Sequence, residues 1–174
     1  KEYNRSHSDK LSFYGFDLQN PDTDLNLILD FVKENSIEKG AGLADSFDSY
    51  LNGSTSFRDA SLSDGFESLN SLKIELETNR DAYQDLYNYG CILACIENVL
   101  RAREFAGRYN GDNGMVEGGQ YRDQMMAKKG VEISETLNGS RMMITGHNGH
   151  IGYAGNYTRT MGSFIRDELG DSYY

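Results

Sequence analysis

The stretch Arg141–Ile151, RMMITGHNGHI, decides the predicted fold. It opens with a short apolar run, MMI, which stops at a Thr-Gly pair. A short apolar run bounded by glycine is typical of a buried strand in a parallel sheet. The pattern therefore predicts a strand over residues 141–146 that ends directly before His147.

Two of the three histidines in the chain, His147 and His150, follow this predicted strand. In open α/β sheets, the residues that handle ligands lie just beyond the carboxyl ends of strands. Three interpretations are open. The pair could bind a metal together with a carboxylate or a further histidine, it could serve acid–base chemistry near neutral pH, or it could cap a loop. The position directly after a strand favours a functional role.

A second strand is predicted over residues 11–16, LSFYGF, because this stretch is short, rich in aromatic residues and ends at a glycine. Asp17 follows it, so parallel strands would place Asp17 and His147 on the same edge of a sheet. Apolar residues then recur at helical spacing over 22–35, which predicts an amphipathic helix. Such a strand–turn–helix unit favours an α/β fold with a parallel sheet.

The remainder of the chain is predicted to be mostly helical. The longest regular stretch is 66–106, which is one helix or two helices joined near Tyr89-Gly90. A glycine-rich loop over 109–119 precedes a helix over 120–137, and the last predicted helix ends at Gly170. We therefore predict one partial domain, residues 1–174, with an α/β core formed by 1–35 and 120–174 and a helical excursion over 36–119.

The pair Arg122-Asp123 is predicted to lie at the start of the helix over 120–137. Such a pair is usually an exposed ion pair on a helix surface. The alternative is an arginine directed into the histidine cleft, where it would bind an anionic group or stabilise an oxyanion. Its positive charge would disfavour protonation of a neighbouring imidazole, which would then accept a proton near neutral pH.

Composition restricts the possible partners. The net charge of −10 argues against nucleic acid or an anionic membrane surface as the main partner. No apolar run approaches the roughly 20 residues that span a bilayer, and the N-terminal stretch resembles no signal peptide. We expect Cys91 and Cys95 to be two reduced thiols rather than a metal-binding pair or a redox couple. We therefore expect a cytoplasmic protein.

Four stretches, in this order, resemble the erythromycin esterase family, which includes proteins labelled as succinoglycan-biosynthesis-like. The ordered set carries the resemblance, which covers nearly the whole chain. The stretches are Tyr3-Asn4 with FYGFDLQ at 13–19, the long helical segment in the middle, YRDQMMA at 121–127, and GHNGHI at 146–151 followed by Met161-Gly162.

This resemblance implies an α/β/α sandwich with a helical excursion and the hydrolysis of an ester. In the best-known members the ester is a macrolide lactone, which would connect the chain to antibiotic resistance. The resemblance also implies that activated water attacks the carbonyl and that no metal or other cofactor is required. By the match of motifs, we predict catalytic roles for His147, His150 and Arg122, and substrate contacts from Asp17, Asn148 and Asp123.

The chain departs from the family in one respect. The family's Gly-Glu-x-x-His-Gly segment, with the proposed general-base histidine and its glutamate partner, is absent and would lie upstream of Lys1. We therefore expect an internal piece of a longer protein. Two functions remain open: part of an erythromycin-esterase-like hydrolase, or a non-catalytic relative that binds a small molecule or carbohydrate in the same cleft.

Overall fold

The computed structural model describes residues 2–8, 11–12, 14–18, 21–110, 112–136, 141–152 and 159–173, without the side chains of Thr136 and Asn148. None of the described helices combines the length and the apolar composition needed to cross a bilayer. The α-helices are α1 (Glu2–Ser6), α2 (Asp22–Glu34), α3 (Leu43–Leu51), α4 (Ser63–Thr78), α5 (Arg80–Tyr83), α6 (Tyr89–Tyr109), α7 (Gly114–Thr136), α8 (Asn148–Ile151) and α9 (Met161–Leu169), with 3₁₀ turns at Glu38–Gly40, Ala60–Leu62 and Gly170–Ser172.

The predicted α/β fold is wrong: the described residues are all-α and contain no strand. The described parts of 11–16 and all of 141–146 have no regular secondary structure. A strand exists only through backbone hydrogen bonds to a neighbouring strand, and neither segment has such a neighbour in the described part of the chain. Ile144 instead packs against buried residues of α7 and α9. The apolar run thus covers helices, a role that its pattern does not distinguish from a strand.

The helix predicted over 22–35 is confirmed as α2. Asp22 and Asp24 lie in its first turn, where negative charge interacts favourably with the helix dipole. Leu25 and Ile28 lie three residues apart and are fully buried, as expected for the apolar face of an amphipathic helix.

The long helical stretch predicted over 66–106 is divided in the structure. α4 ends at Thr78, the short α5 follows, and α6 begins at Tyr89. Asn88, directly before α6, has a positive φ of 67°, a left-handed conformation that asparagine adopts more readily than most residues. The predicted stretch is thus neither one helix nor two helices joined at Tyr89-Gly90, because α5 separates the two long helices and Gly90 lies inside α6.

The largest hydrophobic cluster joins α2, α3, α4 and the first half of α6. Its side chains recur three or four residues apart on each helix, so that each helix turns one apolar face to the others. Its fully buried members are Leu25, Ile28, Phe47, Leu62, Leu69, Leu72, Leu76, Ile96 and Val99.

Two smaller clusters hold α7 in place. In the first, Tyr121 of α7 packs with Phe105 of α6 and with Leu18. In the second, Met126 and Ala127 of α7 pack with Met161 and Ile165 of α9, and Phe16, Ile144 and Ile151 pack against them. α7 is thus fixed between α6 and α9. The division of the chain into a core of 1–35 and 120–174 and an excursion over 36–119 stays a prediction, whereas the predicted α/β character of that core is wrong.

Candidate functional site

α7 carries Arg122 and Asp123, both predicted to lie in the site. The helix begins at Gly114, within the stretch predicted as a loop, so the pair lies about two turns inside α7. Successive residues of a helix project about 100° apart. The two side chains therefore meet different partners: Asp123 is buried, with 4% of its surface exposed, and Arg122 is half-buried.

Arg122 forms a two-pronged ion pair with Asp17. Its Nε donates to Asp17 Oδ1 and its Nη2 donates to Asp17 Oδ2, both at 2.8 Å. Two parallel hydrogen bonds of this kind fix the plane of the guanidinium as well as its position. The hydrogen bonds to Asp17 raise the pKa of Arg122 further, so the side chain stays a cation. The remaining nitrogen of Arg122, Nη1, faces a different residue, His150.

His150, on α8, lies between Arg122 and Asp123. Its Nδ1 is 2.5 Å from Asp123 Oδ1, and its Nε2 is 3.4 Å from Arg122 Nη1. A guanidinium only donates hydrogen bonds, so Nε2 accepts and carries no proton. Nδ1 then carries the proton and donates it to Asp123. In the neutral ring, the two neighbours thus select the tautomer of His150 with its proton on Nδ1.

The Asp123 carboxyl group is buried, and its partners offset part of the effect of burial on its pKa. Burial raises the pKa of Asp123 above its usual value, because a carboxylate loses hydration there. Hydrogen bonds from His150 and from the Met161 backbone N–H, together with the charge of Arg122, lower it again. A buried carboxylate held by two donors keeps the His150 ring in a fixed orientation.

His147 is exposed and stands beside this group. Its ring centroid is 6.5 Å from that of His150, and its Nδ1 accepts a hydrogen bond from the Gly149 backbone N–H at 3.1 Å. In the neutral ring the proton therefore lies on Nε2. The two histidines thus differ in chemistry: His147 offers a donor at Nε2, whereas His150 offers an acceptor there. The side chain of Asn148, also predicted to contact the substrate, lies outside the described residues.

The structure brings Asp17, Arg122, Asp123 and His150 into one hydrogen-bonded cluster, with His147 next to it. The predicted location at the edge of a sheet is wrong, because the described residues contain no sheet. Arg122 and Asp123 lie on α7, and His150 lies on α8. Apolar neighbours of these residues in the chain do the positioning: Phe16, Met126 and Ile151 pack into one cluster with α9. In the described part of the chain, no group of three His, Cys, Asp or Glu side chains is arranged to hold a metal ion.

Sequence reasoning missed the contribution of Thr160, Met161 and Gly162 at the start of α9. Thr160 caps the helix, since its Oγ1 accepts from the Ser163 N–H at 3.2 Å and donates to the Gly152 carbonyl. A Cβ on Gly162 would lie 2.6 Å from the Gly152 carbonyl oxygen and closer still to that of the preceding residue. The Met-Gly pair was visible in the sequence, but its close contact with the end of α8 was not.

This contact predicts that Gly162→Ala disturbs both stability and the site. The added methyl group meets backbone rather than a flexible side chain, so α8 must move together with its His150. We expect a loss of about 1–3 kcal/mol in the free energy of unfolding, measured by urea denaturation. Gly107→Ala is the matched control: it lies inside α6, where an added methyl group would meet no neighbouring atom, and about 1 kcal/mol of gain is expected there. Equal stability changes in the two variants would contradict the expectation.

Comparisons with known proteins assign the chain to a family. The family model for erythromycin esterase matches residues 1–174. Comparisons with curated proteins and with solved structures find no match. The match extends over the whole chain, including every residue of the hydrogen-bonded cluster, and the chain therefore belongs to the erythromycin esterase family.

Proposed function

We propose that the chain carries part of the catalytic site of an ester hydrolase, in which His150 assists the attack of water on an ester or lactone carbonyl. The observation that supports this most is the tautomer of His150 that its contacts select. Nδ1 donates to Asp123, and the lone pair of Nε2 accepts only the long 3.4 Å contact from Arg122 Nη1. An imidazole in this form is ready to accept a proton.

In the proposed reaction, water approaches His150 Nε2 and replaces the long 3.4 Å contact with Arg122. The water oxygen forms a bond to the carbonyl carbon while its proton passes to Nε2. The resulting imidazolium is stabilised by Asp123, which accepts from Nδ1. This pairing of a buried carboxylate with the base is the same arrangement that orients the histidine of a serine-hydrolase triad, although water takes the place of the serine.

Arg122 stabilises the negative charge that develops on the carbonyl oxygen. A preorganised cation beside the reacting group is effective because it needs no rearrangement when the charge appears. Asp17 acts as a positioning residue in this proposal, since its oxygens bind the Arg122 guanidinium. Asp123 likewise positions His150. Their contacts support these roles over the predicted direct contacts with substrate.

His147 serves the second half of the reaction. When the carbon–oxygen bond to the leaving group breaks, the departing alkoxide needs a proton. His147 Nε2–H supplies it, because Nδ1 is already engaged by Gly149. His150 returns its proton to solvent and His147 takes one up, which restores both rings. The products are a carboxylic acid and an alcohol, or one hydroxy acid from a lactone.

The proposed substrate is a small ester or lactone, of which a macrolide lactone is one example. The net charge of −10 supports an uncharged or cationic small molecule over nucleic acid or an anionic membrane surface. The proposed reaction needs no metal or other cofactor, since the protons and charges involved are all handled by the named side chains. A cytoplasmic location remains our expectation.

One observation favours a second function, a non-catalytic binding protein of the same family. Asp17 occupies Nε and Nη2 of Arg122, so most of the guanidinium is already neutralised. A cluster of this kind would hold a polar ligand without accelerating its hydrolysis. The two functions differ in a simple observable: the binder gives saturable binding of an ester without turnover.

The test is hydrolysis of a panel of aliphatic esters and lactones, including a macrolide, in water enriched in oxygen-18. We expect turnover of at least one member, with the label in the carboxyl product. We also expect intact-protein mass spectra during turnover to show no acyl adduct. An accumulating acyl-enzyme would overturn the water mechanism, and binding without turnover would leave the binding function in its place.

A further inference from the structure

A second cavity lies apart from the histidine cluster, between α6 and α7. Its volume is about 520 Å³, within the usual range of small-molecule pockets. Tyr14, Ala94 of α6 and Ile133 of α7 present mainly carbon to it. None of the residues of the histidine cluster lines it, so the proposed hydrolysis leaves this cavity without a role. The charged side chains of its lining are Asp24, Glu97, Arg101, Lys129 and Glu132.

Three of these charged side chains belong to an ion-pair network. Arg101 donates to Glu97 at 3.1 Å and to Glu132 at 3.3 Å. Lys73 of α4, which does not line the cavity, donates to Glu97 at 2.6 Å. The network therefore joins two cations to two carboxylates and offers a ligand no net charge.

Asp24 of α2 is a carboxylate outside this network, and it is half-buried. Its Oδ2 accepts from Asn98 Nδ2, and the Cys95 thiol also donates to this carboxylate. Burial raises the pKa of the Cys95 thiol, so both donors are neutral. They fix the carboxylate without cancelling its charge, and the dipole of α2 offsets only part of it. No cation of the described residues forms an ion pair with Asp24, and its oxygens have lone pairs for a further donor.

Lys129 of α7 is the cation outside the network. It is half-buried, and its ammonium group forms no ion pair or hydrogen bond with the described residues. Its neighbour Lys128, by contrast, is exposed and does not line the cavity. Charged groups are rarely withdrawn from water without a partner. The cavity thus carries one unpaired charge of each sign, on different helices and too far apart to pair directly.

We propose that this cavity binds a small zwitterion, an amino acid with a short apolar chain, whose ammonium donates to Asp24 and whose carboxylate accepts from Lys129. Both contacts are charge-assisted hydrogen bonds, which are stronger than neutral ones. The apolar chain contacts the carbon surface of Tyr14, Ala94 and Ile133. A ligand with a single charge leaves either Asp24 or Lys129 unmatched. The site is separate from the proposed hydrolytic cluster, so failure of the hydrolysis test leaves this proposal intact.

The test uses four matched probes and protein-observed NMR titration, in about 0.15 M salt to screen non-specific attraction to the acidic protein. L-Norleucine and 6-aminohexanoate are isomers that carry both charges at different separations. Pentylamine lacks the carboxylate of both isomers, and hexanoate lacks the ammonium of both. We expect saturable shifts at α6 and α7 amides with at least one isomer. We expect at least tenfold weaker binding of pentylamine and of hexanoate, because each leaves one charge of the cavity unpaired.

Two variants assign the charges, and thermal unfolding verifies that each is folded. Lys129→Gln should weaken the better isomer to the affinity of pentylamine, and Asp24→Asn should weaken it to that of hexanoate. Lys128→Gln and Asp30→Asn are the controls at exposed positions of the same two helices, and they should keep binding within about twofold.

Three results would each overturn the proposal. The first is that neither isomer saturates. The second is that pentylamine or hexanoate binds as tightly as the better isomer. The third is that a folded Lys129→Gln protein binds that isomer as tightly as the unaltered protein does, an outcome that can be read even where Asp24→Asn fails to fold.

Discussion

Replacing His150 by alanine should lower kcat for ester hydrolysis by about 10²–10⁴-fold, the usual contribution of a general base. The proposal assigns proton transfer from water to Nε2 of this ring, which lies 3.4 Å from Arg122 Nη1. KM should change much less, because the step affected is chemical. The fold should persist, since the His150 ring is about one-third exposed and its loss opens no deep cavity.

The matched control is His7→Ala. This third histidine is also exposed, and it stacks on Tyr3 beyond the end of α1. Its removal should leave kcat within about twofold, since surface substitutions rarely affect distant chemistry. Urea denaturation of both variants separates catalysis from folding. A rate that His150→Ala leaves intact, or that His7→Ala lowers equally, would withdraw the base assignment.

The hydrogen bond between His150 and Asp123 can also be tested by a substitution. Asp123→Asn keeps the size of the side chain but offers an amide that can donate to Nδ1. The ring could then protonate on Nε2 and lose its acceptor there. A kcat that falls towards that of His150→Ala, while urea denaturation shows that the fold is kept, identifies tautomer control as the cause.

Helix spacing made much of the fold predictable from the sequence. The helix that begins at Asp22 was predictable because two signals agree. Acidic residues lie in its first turn, and its apolar residues are spaced three or four positions apart. The lack of regular secondary structure at 141–146 was not predictable from helix spacing. Its apolar run has the same appearance whether it pairs with a strand or covers helices, and only the tertiary contacts of Ile144 decide between them.

The four hydrogen-bonded side chains of the candidate site lie together in the structure, whereas the predicted place of their meeting, the edge of a sheet, is wrong. Asp17 and Arg122 lie 105 positions apart and form two hydrogen bonds. The prediction placed Asp17 at the edge of a sheet and Arg122 at the start of a helix directed towards that edge. In the structure, Phe16 and Ile151 instead pack against α7 and α9. The contact of Gly162 with the end of α8 had no sequence signal beyond the Met-Gly pair, because a close approach involves two distant backbones.

The second large effect is expected at Arg122. Arg122→Ala should lower kcat by about 10²–10³-fold, comparable to the loss of one oxyanion donor. The cation stabilises charge that appears only in the transition state, so KM should again change less than kcat. Arg122→Lys should remain well below the unaltered protein, because an ammonium cannot make both hydrogen bonds to Asp17 and also reach the substrate.

Arg80→Ala, which removes an exposed arginine from the short α5, is the control and should keep full activity. Chemical rescue distinguishes charge stabilisation from structure: added guanidinium chloride, at millimolar concentrations below those that unfold the protein, should restore part of the rate of Arg122→Ala. It should restore nothing in His150→Ala. If Arg122 served only to hold Asp17, the free cation would have no oxyanion to stabilise and the rate would stay low. Failure of rescue, together with unchanged kcat in Arg122→Lys, would assign Arg122 a structural role and favour the non-catalytic binding protein.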